Sequence, residues 1–383
     1  LDQYEDPIPY THMWWFPEFY KGHSAGDFLG DVFRGRLLST WRAYYIDRTV
    51  RGGSATPDML AFFPKEFGSV IDVTPVPGIA GPSNTLPEES VTVIGQPGSG
   101  PGAFSQPADL AVDADGNIYV ADTLNHRFQK ISPDGLPVTI GEEGTDEGQF
   151  GNPRQQNEDF PEDGPWGVGI DPLGNVYVAD TWNHRLQKFG PDLEFVQEWG
   201  AGEFFGPRDI AFDAVGNVYV VDTGNKRVLK YQNNGQLIAV FGRPGNGPAE
   251  FSEPTSISFA PNGDIYVADF WNQRIQHFNP EFEYIDEIAV PSWGSQGITD
   301  RGYIVALEGG RVLATDPANG RIIAFGTDGE EVASWALPST IGTTRPVGIT
   351  VDERGQAYIS DAAASHIIRV SVLVLFSQPP EEP

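Results

Sequence analysis

The sequence predicts an all-β chain: a six-bladed β-propeller preceded by a small α+β extension at the N-terminus. Three observations carry this. The stretch PADLAVDADGNIYVADTLNHRFQKI (107–131) returns as PWGVGIDPLGNVYVADTWNHRLQKF (165–189), PRDIAFDAVGNVYVVDTGNKRVLKY (207–231) and PTSISFAPNGDIYVADFWNQRIQHF (254–278). Two degenerate copies follow at 309–325 and 346–370. The Asp that ends the second apolar run falls at Asp122, Asp180, Asp222, Asp269, Asp316 and Asp361, mostly 42 to 47 residues apart, with one longer step of 58. That is the period of a four-stranded blade, and the count is six.

Within the first copy, Leu110 to Val112 is a short apolar run that meets a turn at Ala114-Asp115-Gly116. Ile118-Tyr119-Val120 then supplies β-branched and aromatic residues, followed by a second turn at Thr123-Leu124-Asn125. A third strand spans Phe128 to Ile131, and Val138-Thr139-Ile140 provides a fourth. A linear stack of such units would need polar capping ends, and none is visible, so a closed ring is expected. The last unit ends on its third strand, and Val91-Thr92-Val93-Ile94 offers the missing fourth. Strand 91–95 is therefore expected to close the ring against the C-terminal strand. The predicted divisions are 1–71 (aromatic-rich α+β segment), 72–90 (Pro-rich linker), 91–376 (propeller) and 377–383 (tail).

Composition excludes several functions. The net charge of −29 argues against nucleic acid, because neutralising phosphates needs clustered Lys and Arg. Residues 1–88 hold 7 Lys/Arg against 11 Asp/Glu, leaving 17 against 42 for the remainder, so the acidity belongs to the propeller. With no Cys, there are no disulfides, thiolate metal ligands or Cys nucleophiles. No apolar run approaches the roughly 18–20 residues of a membrane-spanning helix. The chain starts at Leu1 without a signal-like segment and is expected to be a processed form or a fragment.

Asp122/Arg127, Asp180/Arg185, Asp222/Arg227, Asp269/Arg274 and Asp316/Arg321 recur at a fixed offset of five, with Asp361 facing His366 in the sixth copy. A charge pair repeated in nearly every blade, flanking a hairpin turn, is expected to be a folding device. Asn125, Asn183, Asn225, Asn272 and Asn319 suit left-handed turn positions. Trp166, Trp182, Trp271 and Trp293 are candidates for a rim that stacks on sugar rings, and inter-blade packing is the other role open to them. The insertion at 141–167 is strongly acidic. Its Glu158, Asp159, Glu162 and Asp163 are candidate calcium ligands, although regular DxDxDG spacing is absent and a solvated loop is the plainer reading. Asp113, Asp171, Asp213 and Asp352 end the innermost strands of four blades, whereas Ala260 and Leu307 break that ring. No GxSxG, HExxH or phosphate-binding loop is present.

Outside the repeat, Trp14-Trp15-Phe16 with Phe19 and Tyr20 forms an aromatic knot. Residues 25–46 carry apolar side chains at near-helical spacing, and a short strand is expected at 59–63. Pro75, Pro77, Pro82 and Pro87 mark an extended linker.

The copies resemble the NHL repeat, whose Asn-His-Leu signature here reads Asn125-His126-Arg127 and Asn183-His184-Arg185. The linkers GQPGSGPGAFSQP (95–107) and GRPGNGPAEFSEP (242–254) are similar to the segment that joins blades in that family, and the resemblance covers about 90–370. It implies a six-bladed propeller, a fold that serves many functions. Some related propellers bind zinc through His side chains, but the positions equivalent to His126 and His184 are Lys226, Gln273, Gly320 and Ser365, so no catalytic zinc is expected.

MWWFPEFYKG (13–22), WRAYYIDRTV (41–50) and DMLAFFPKEF (58–67) resemble the soluble extracytoplasmic part of bacterial dolichyl-phosphate-mannose-protein mannosyltransferase-like membrane glycosyltransferases. That implies an extracytoplasmic, cell-surface appendage whose membrane link and transfer chemistry lie elsewhere. The expected function is non-catalytic binding or scaffolding toward a protein, peptide or glycan partner, with no required cofactor and calcium as an option. A metal-dependent hydrolase or lyase with an axial site is the alternative, and a structural surface-layer or filament subunit is a third.

Overall fold

The computed structural model describes residues 84–151, 164–293, 301–342 and 344–377. The chain divides after Pro75, and every described residue falls in the second unit, Val76–Pro383. The aromatic knot, the expected helix and strand of the N-terminal segment, most of the Pro-rich linker and the tail from 378 lie outside the described residues, as do Glu158, Asp159, Glu162 and Asp163.

Six antiparallel sheets follow one another around an axis. Blade 1 runs from its inner strand Pro107–Val112 through Ile118–Asp122 and Arg127–Ile131 to its outer strand Pro137–Ile140. Blades 2, 3 and 4 repeat this order from Gly167–Ile170 to Phe195–Trp199, from Pro207–Phe212 to Leu237–Phe241, and from Pro254–Phe259 to Tyr284–Ala289. Blade 5 runs from Ile304–Ala306 to Glu331–Ala336, and Asn84–Thr85 adds a parallel edge beside its outer strand. Blade 6 takes its inner three strands, Pro346–Val351, Gln356–Asp361 and His366–Ser371, from the end of the chain. Its outer strand is Val91–Ile94, antiparallel to His366–Ser371 with Val91 opposite Val370 and Ile94 opposite Ile367. The inner strands touch their neighbours in cyclic order, and that of blade 6 packs against that of blade 1. The fold is a six-bladed β-propeller.

The second strand of each blade is buried on both faces, which is why it reads as a continuous apolar run such as Val176–Asp180 rather than an alternating one. The core is accordingly divided among the seams between blades. One apolar cluster fills each seam, for example Phe128, Phe150 and Phe189 between blades 1 and 2, and Ile322, Trp335 and Ile359 between blades 5 and 6.

A hydroxyl also clips each seam by donating to a carbonyl at the start of the next inner strand. Thr123 donates to Pro165 O at 2.9 Å, Thr181 to Pro207 O at 2.7 Å and Thr223 to Pro254 O at 2.8 Å. Blades 4, 5 and 6 carry Phe270, Pro317 and Ala362 at that turn position. There Thr255 donates to Gly302 O, Thr315 to Val347 O and Ser360 to Ala108 O instead. Inner strands approach so closely that a Cβ at Gly167 would stand 2.0 Å from Arg208 O, so only glycine fits.

Candidate binding site

We call upper the face that bears the turns between second and third strands, and lower the opposite face. On the upper face the repeated charge pairs are closed: Arg Nε to Asp Oδ2 is 2.8 Å for Arg127–Asp122, Arg185–Asp180, Arg227–Asp222 and Arg321–Asp316, and 3.0 Å for Arg274–Asp269. Each Asp is fully buried and also accepts from the Asn three residues on, as Asp180 does from Asn183 at 2.9 Å. Burial pushes Asp122, Asp180, Asp222 and Asp269 upward, and the Arg and Asn donors pull against it. The left-handed residue of the turn is not the Asn. It is the next residue, His126, His184, Lys226, Gln273, Gly320 or Ser365, with φ between 52° and 60°. The Asn sits in a single 3₁₀ turn, where its amide is needed by the Asp. In blade 6, His366 Nε2 and Asp361 Oδ2 lie 3.9 Å apart, too far for a hydrogen bond.

The four candidate rim tryptophans separate into two pairs. Trp293 is fully buried, stacked on Phe270 at 5.4 Å with Nε1 donating to Thr315 O. Trp166 is buried under the Arg208 guanidinium, 4.3 Å from its ring. Neither has a face open to a ligand, because each fills a seam between blades. Trp182 and Trp271 are partly exposed on the upper turns, and Trp271 carries Arg301 over its ring at 5.1 Å. His184 Nδ1 accepts from Gly206 N, and burial lowers its pKa.

At the axis, Asp109 and Asp209 occupy equivalent inner-strand positions, a third of the ring apart. Asp109 Oδ2 accepts from Val168 N at 3.1 Å, and Asp209 Oδ2 accepts from Ile257 N at 2.8 Å, so each carboxylate bridges to the next blade. Burial, and secondly the charge of Asp209, holds Asp109 well above the usual carboxylate range; burial pushes Asp209 up to about 6. Tyr303 fills the equivalent position in blade 5, and its buried hydroxyl has no hydrogen-bond partner. Sequence reasoning passed over these three because a single Asp or Tyr at the head of an inner strand looks like repeat variation; alignment of the copies by their first strands is the signal that finds them. Among the described residues, no group of three or more His, Asp or Glu is arranged to hold a metal ion.

The lower face repeats a second motif. Asp113 accepts from Asn117 N at 2.8 Å, Asn117 Nδ2 at 2.7 Å and Tyr119 Oη at 3.1 Å, while Lys130 lies over the Tyr119 ring. Asp171 with Tyr177 and Lys188, Asp213 with Tyr219 and Lys230, and Asp352 with Tyr358 and Arg369 follow the same plan. These inner-strand Asp residues are thus committed within their own blades. Blade 4 departs from the plan: the Asp is Ala260, the Asn is Asp264 and the cation is His277.

The departure leaves a cleft of about 890 Å³ between blades 4 and 5. Tyr266, Asp264, Asp286 and His277 line one wall, and Glu308, Gly310 and Asp328 the other. His277 is stacked on Tyr266 at 4.3 Å and held between Asp286 at 2.9 Å and Asp264 at 3.2 Å. Burial, then the Asp264 and Asp286 charges, push the Tyr266 phenol up to about 12.

The NHL repeat model matches residues 104–131, 163–189 and 251–278. NHL repeat-containing protein 3 of Mus musculus is 35% identical over 119 residues, which span 28% of this chain and 31% of that protein. Peptidylglycine alpha-amidating monooxygenase of Rattus norvegicus is 31% identical over 110 residues, 27% of this chain and 10% of that protein. The matched region thus spans a third or less of these relatives. Among solved structures, a gluconolactonase of Xanthomonas campestris superposes with a TM-score of 0.52 at 14% identity, covering 76% of this chain and 98% of its own. A streptogramin B lyase gives 0.50 at 14%, covering 73% and 97%. At such identities the superpositions speak for the fold. The chain carries NHL repeats on a six-bladed β-propeller.

Proposed function

We propose that this propeller is a non-catalytic binding and scaffolding module for a protein, peptide or glycan partner. The observation that carries the reading is the cleft between blades 4 and 5. It is the place on the lower face where the repeat abandons its self-satisfying Asp–Asn–Tyr–Lys plan, and it leaves polar groups facing solvent-filled space. In blades 1, 2, 3 and 6 the lower-face carboxylates already accept from a Tyr hydroxyl of their own blade, and on the upper face five of the six repeated carboxylates are held by Arg and Asn. NHL repeats in general mediate protein interactions, which supports the same reading. The resemblance of residues 13–67 to the soluble part of membrane glycosyltransferases supports an extracytoplasmic position beside such an enzyme, and the acidic segment 158–163 keeps calcium as an accessory of that module.

A second reading, a metal-dependent hydrolase or lyase acting at the axis, is favoured by Asp109, Asp209 and the unpartnered Tyr303 hydroxyl. The two readings separate in one experiment. The full chain and its Asp209→Asn variant are incubated with lactone and peptide ester substrates, with and without added Ca²⁺ or Zn²⁺. The binding reading expects no turnover that the variant abolishes. Metal-dependent turnover lost in Asp209→Asn would replace it with the enzymatic one.

A further inference from the structure

The internal repeat provides its own control for the cleft between blades 4 and 5. In blades 1, 2, 3 and 6 the tyrosine at the base of the second strand donates to the Asp that ends the inner strand, at 3.1, 3.1, 3.5 and 3.2 Å. The same blades set a long cation, Lys130, Lys188, Lys230 or Arg369, beside that pair. Tyr266 keeps the position and is 3% exposed, yet Ala260 has removed its acceptor, and no side chain or backbone carbonyl among the described residues takes its place. That hydroxyl faces the cleft: a Cβ built on Gly310, across in blade 5, would lie 3.5 Å from it. Blade 5 leaves the space open, since Gly309-Gly310 forms its turn and Ala324 stands where the other blades place the cation.

Charge selects what enters. Asp264, Asp286, Glu308 and Asp328 line the walls against a single histidine, and Glu287 beside them is engaged by Arg274 at 2.7 Å. A guanidinium presents five donors in a rigid plane and can pair carboxylates two-pronged, whereas an ammonium offers three donors around a point charge. A buried phenol without an acceptor is left to be satisfied by a carbonyl, and the backbone next to an arginine supplies one.

We propose that the cleft receives an arginine side chain displayed on an extended segment of a protein partner. Its guanidinium lies among Asp264, Asp286, Glu308 and Asp328, and an adjacent peptide carbonyl accepts from Tyr266. The partner thereby provides in trans the cation and the acceptor that the other blades hold in cis. This rests on the binding-module reading and specifies its ligand.

The test uses the full chain and three blocked peptides, Ac-Gly-Arg-Gly-NH₂, Ac-Gly-Lys-Gly-NH₂ and Ac-Gly-Glu-Gly-NH₂, with N-acetylglucosamine as the glycan probe. Ring resonances of His277, assigned by loss in His277→Gln, report occupancy. The arginine peptide is expected to shift them saturably, more tightly than the lysine peptide, with no response to the glutamate peptide. Tyr266→Phe and the pair Glu308→Gln/Asp328→Asn are each expected to weaken binding about tenfold, the scale of one charge-assisted hydrogen bond. The charge-matched pair Asp115→Asn/Asp134→Asn on blade 1 is expected to leave it unchanged, which separates the cleft from the general acidity of the chain. Equal weakening by both pairs, or a His277 response to N-acetylglucosamine but not to the arginine peptide, would overturn the proposal. Binding of the arginine peptide that moves other residues and ignores the cleft variants would overturn it too, while leaving the binding-module reading in place.

Discussion

Arg301 Nε lies 2.9 Å from Glu253 Oε1 and Arg301 Nη2 lies 3.0 Å from Glu253 Oε2, a two-pronged ion pair joining the entry of blade 5 to that of blade 4. Both residues are almost wholly buried, and the guanidinium is roofed by Phe270 and Trp271 at 4.9 and 5.1 Å. Removing water from two ions costs several kcal/mol, which the pair recovers only while both partners are present. Arg301→Met alone is therefore expected to cost about 3–5 kcal/mol by stranding Glu253. The double variant Glu253→Met/Arg301→Met is expected to be far milder, and urea titration of the three proteins measures the difference. Equal losses in the single and double variants would show that the arginine matters for packing and not for charge.

Tyr119 and Tyr266 are equivalent by position and different by circumstance, and a matched pair of variants reads that difference. Tyr119→Phe removes one of the three hydrogen bonds that Asp113 accepts and is expected to cost about 1 kcal/mol. Tyr266→Phe removes a hydroxyl that no protein group accepts from and is expected to be neutral or slightly stabilising. Thermal unfolding of the two variants, compared with the parent, decides it; a loss in Tyr266→Phe as large as in Tyr119→Phe would mean that its hydroxyl is already engaged.

The fold was legible because the blade is written six times. The second strand reads IYVAD, VYVAD, VYVVD and IYVAD in four copies, and a segment buried on both faces has few other ways to be spelled. The Asp–Arg offset was legible for the same reason, since hairpin geometry fixes which side chains meet. What the sequence concealed is the consequence of departures. Ala260 and Leu307 were visible as breaks in a ring of Asp, but a missing side chain reads as loss; only the packed neighbours turn it into a cleft with an unanswered phenol. Trp166 and Trp293 were left between two roles because indole suits both a sugar and a seam, and seams, where both lie buried, are set by contacts between blades that no local pattern encodes. Asn125 and its equivalents misled by one residue, because a side chain already bonded to Asp122 leaves the left-handed position to its neighbour.

The seam clips make a uniform prediction across blades that share little sequence. Thr223→Val keeps volume and branching but removes the donor to Pro254 O, leaving a buried carbonyl without that partner. The expected cost is about 1–2 kcal/mol. Because the clip joins blades 3 and 4, amide hydrogen exchange is expected to rise first along Pro254–Phe259 and not in blades 6 and 1. Exchange that rises evenly around the ring would show that the blades open together.

The axial carboxyls predict how stability depends on pH. Burial raises Asp109 well above its ordinary value and Asp209 to about 6, so the folded chain holds protons there that the unfolded chain releases near pH 4. The sign follows from linkage: where the native state binds more protons, stability falls as pH rises. The contribution of Asp209 is thus complete below the ordinary Asp pKa and is lost as pH climbs through about 6, and that of Asp109 has the same sign. Asp209→Asn keeps the shape of the side chain and removes its titration. The variant is expected to lose a backbone acceptor and start lower in Tm at pH 4, then to show a flatter Tm profile between pH 4 and 7 than the parent. Parallel profiles for the two proteins over that interval would mean that Asp209 stays ionised throughout, with the bonds from Ile210 N and Ile257 N outweighing its burial.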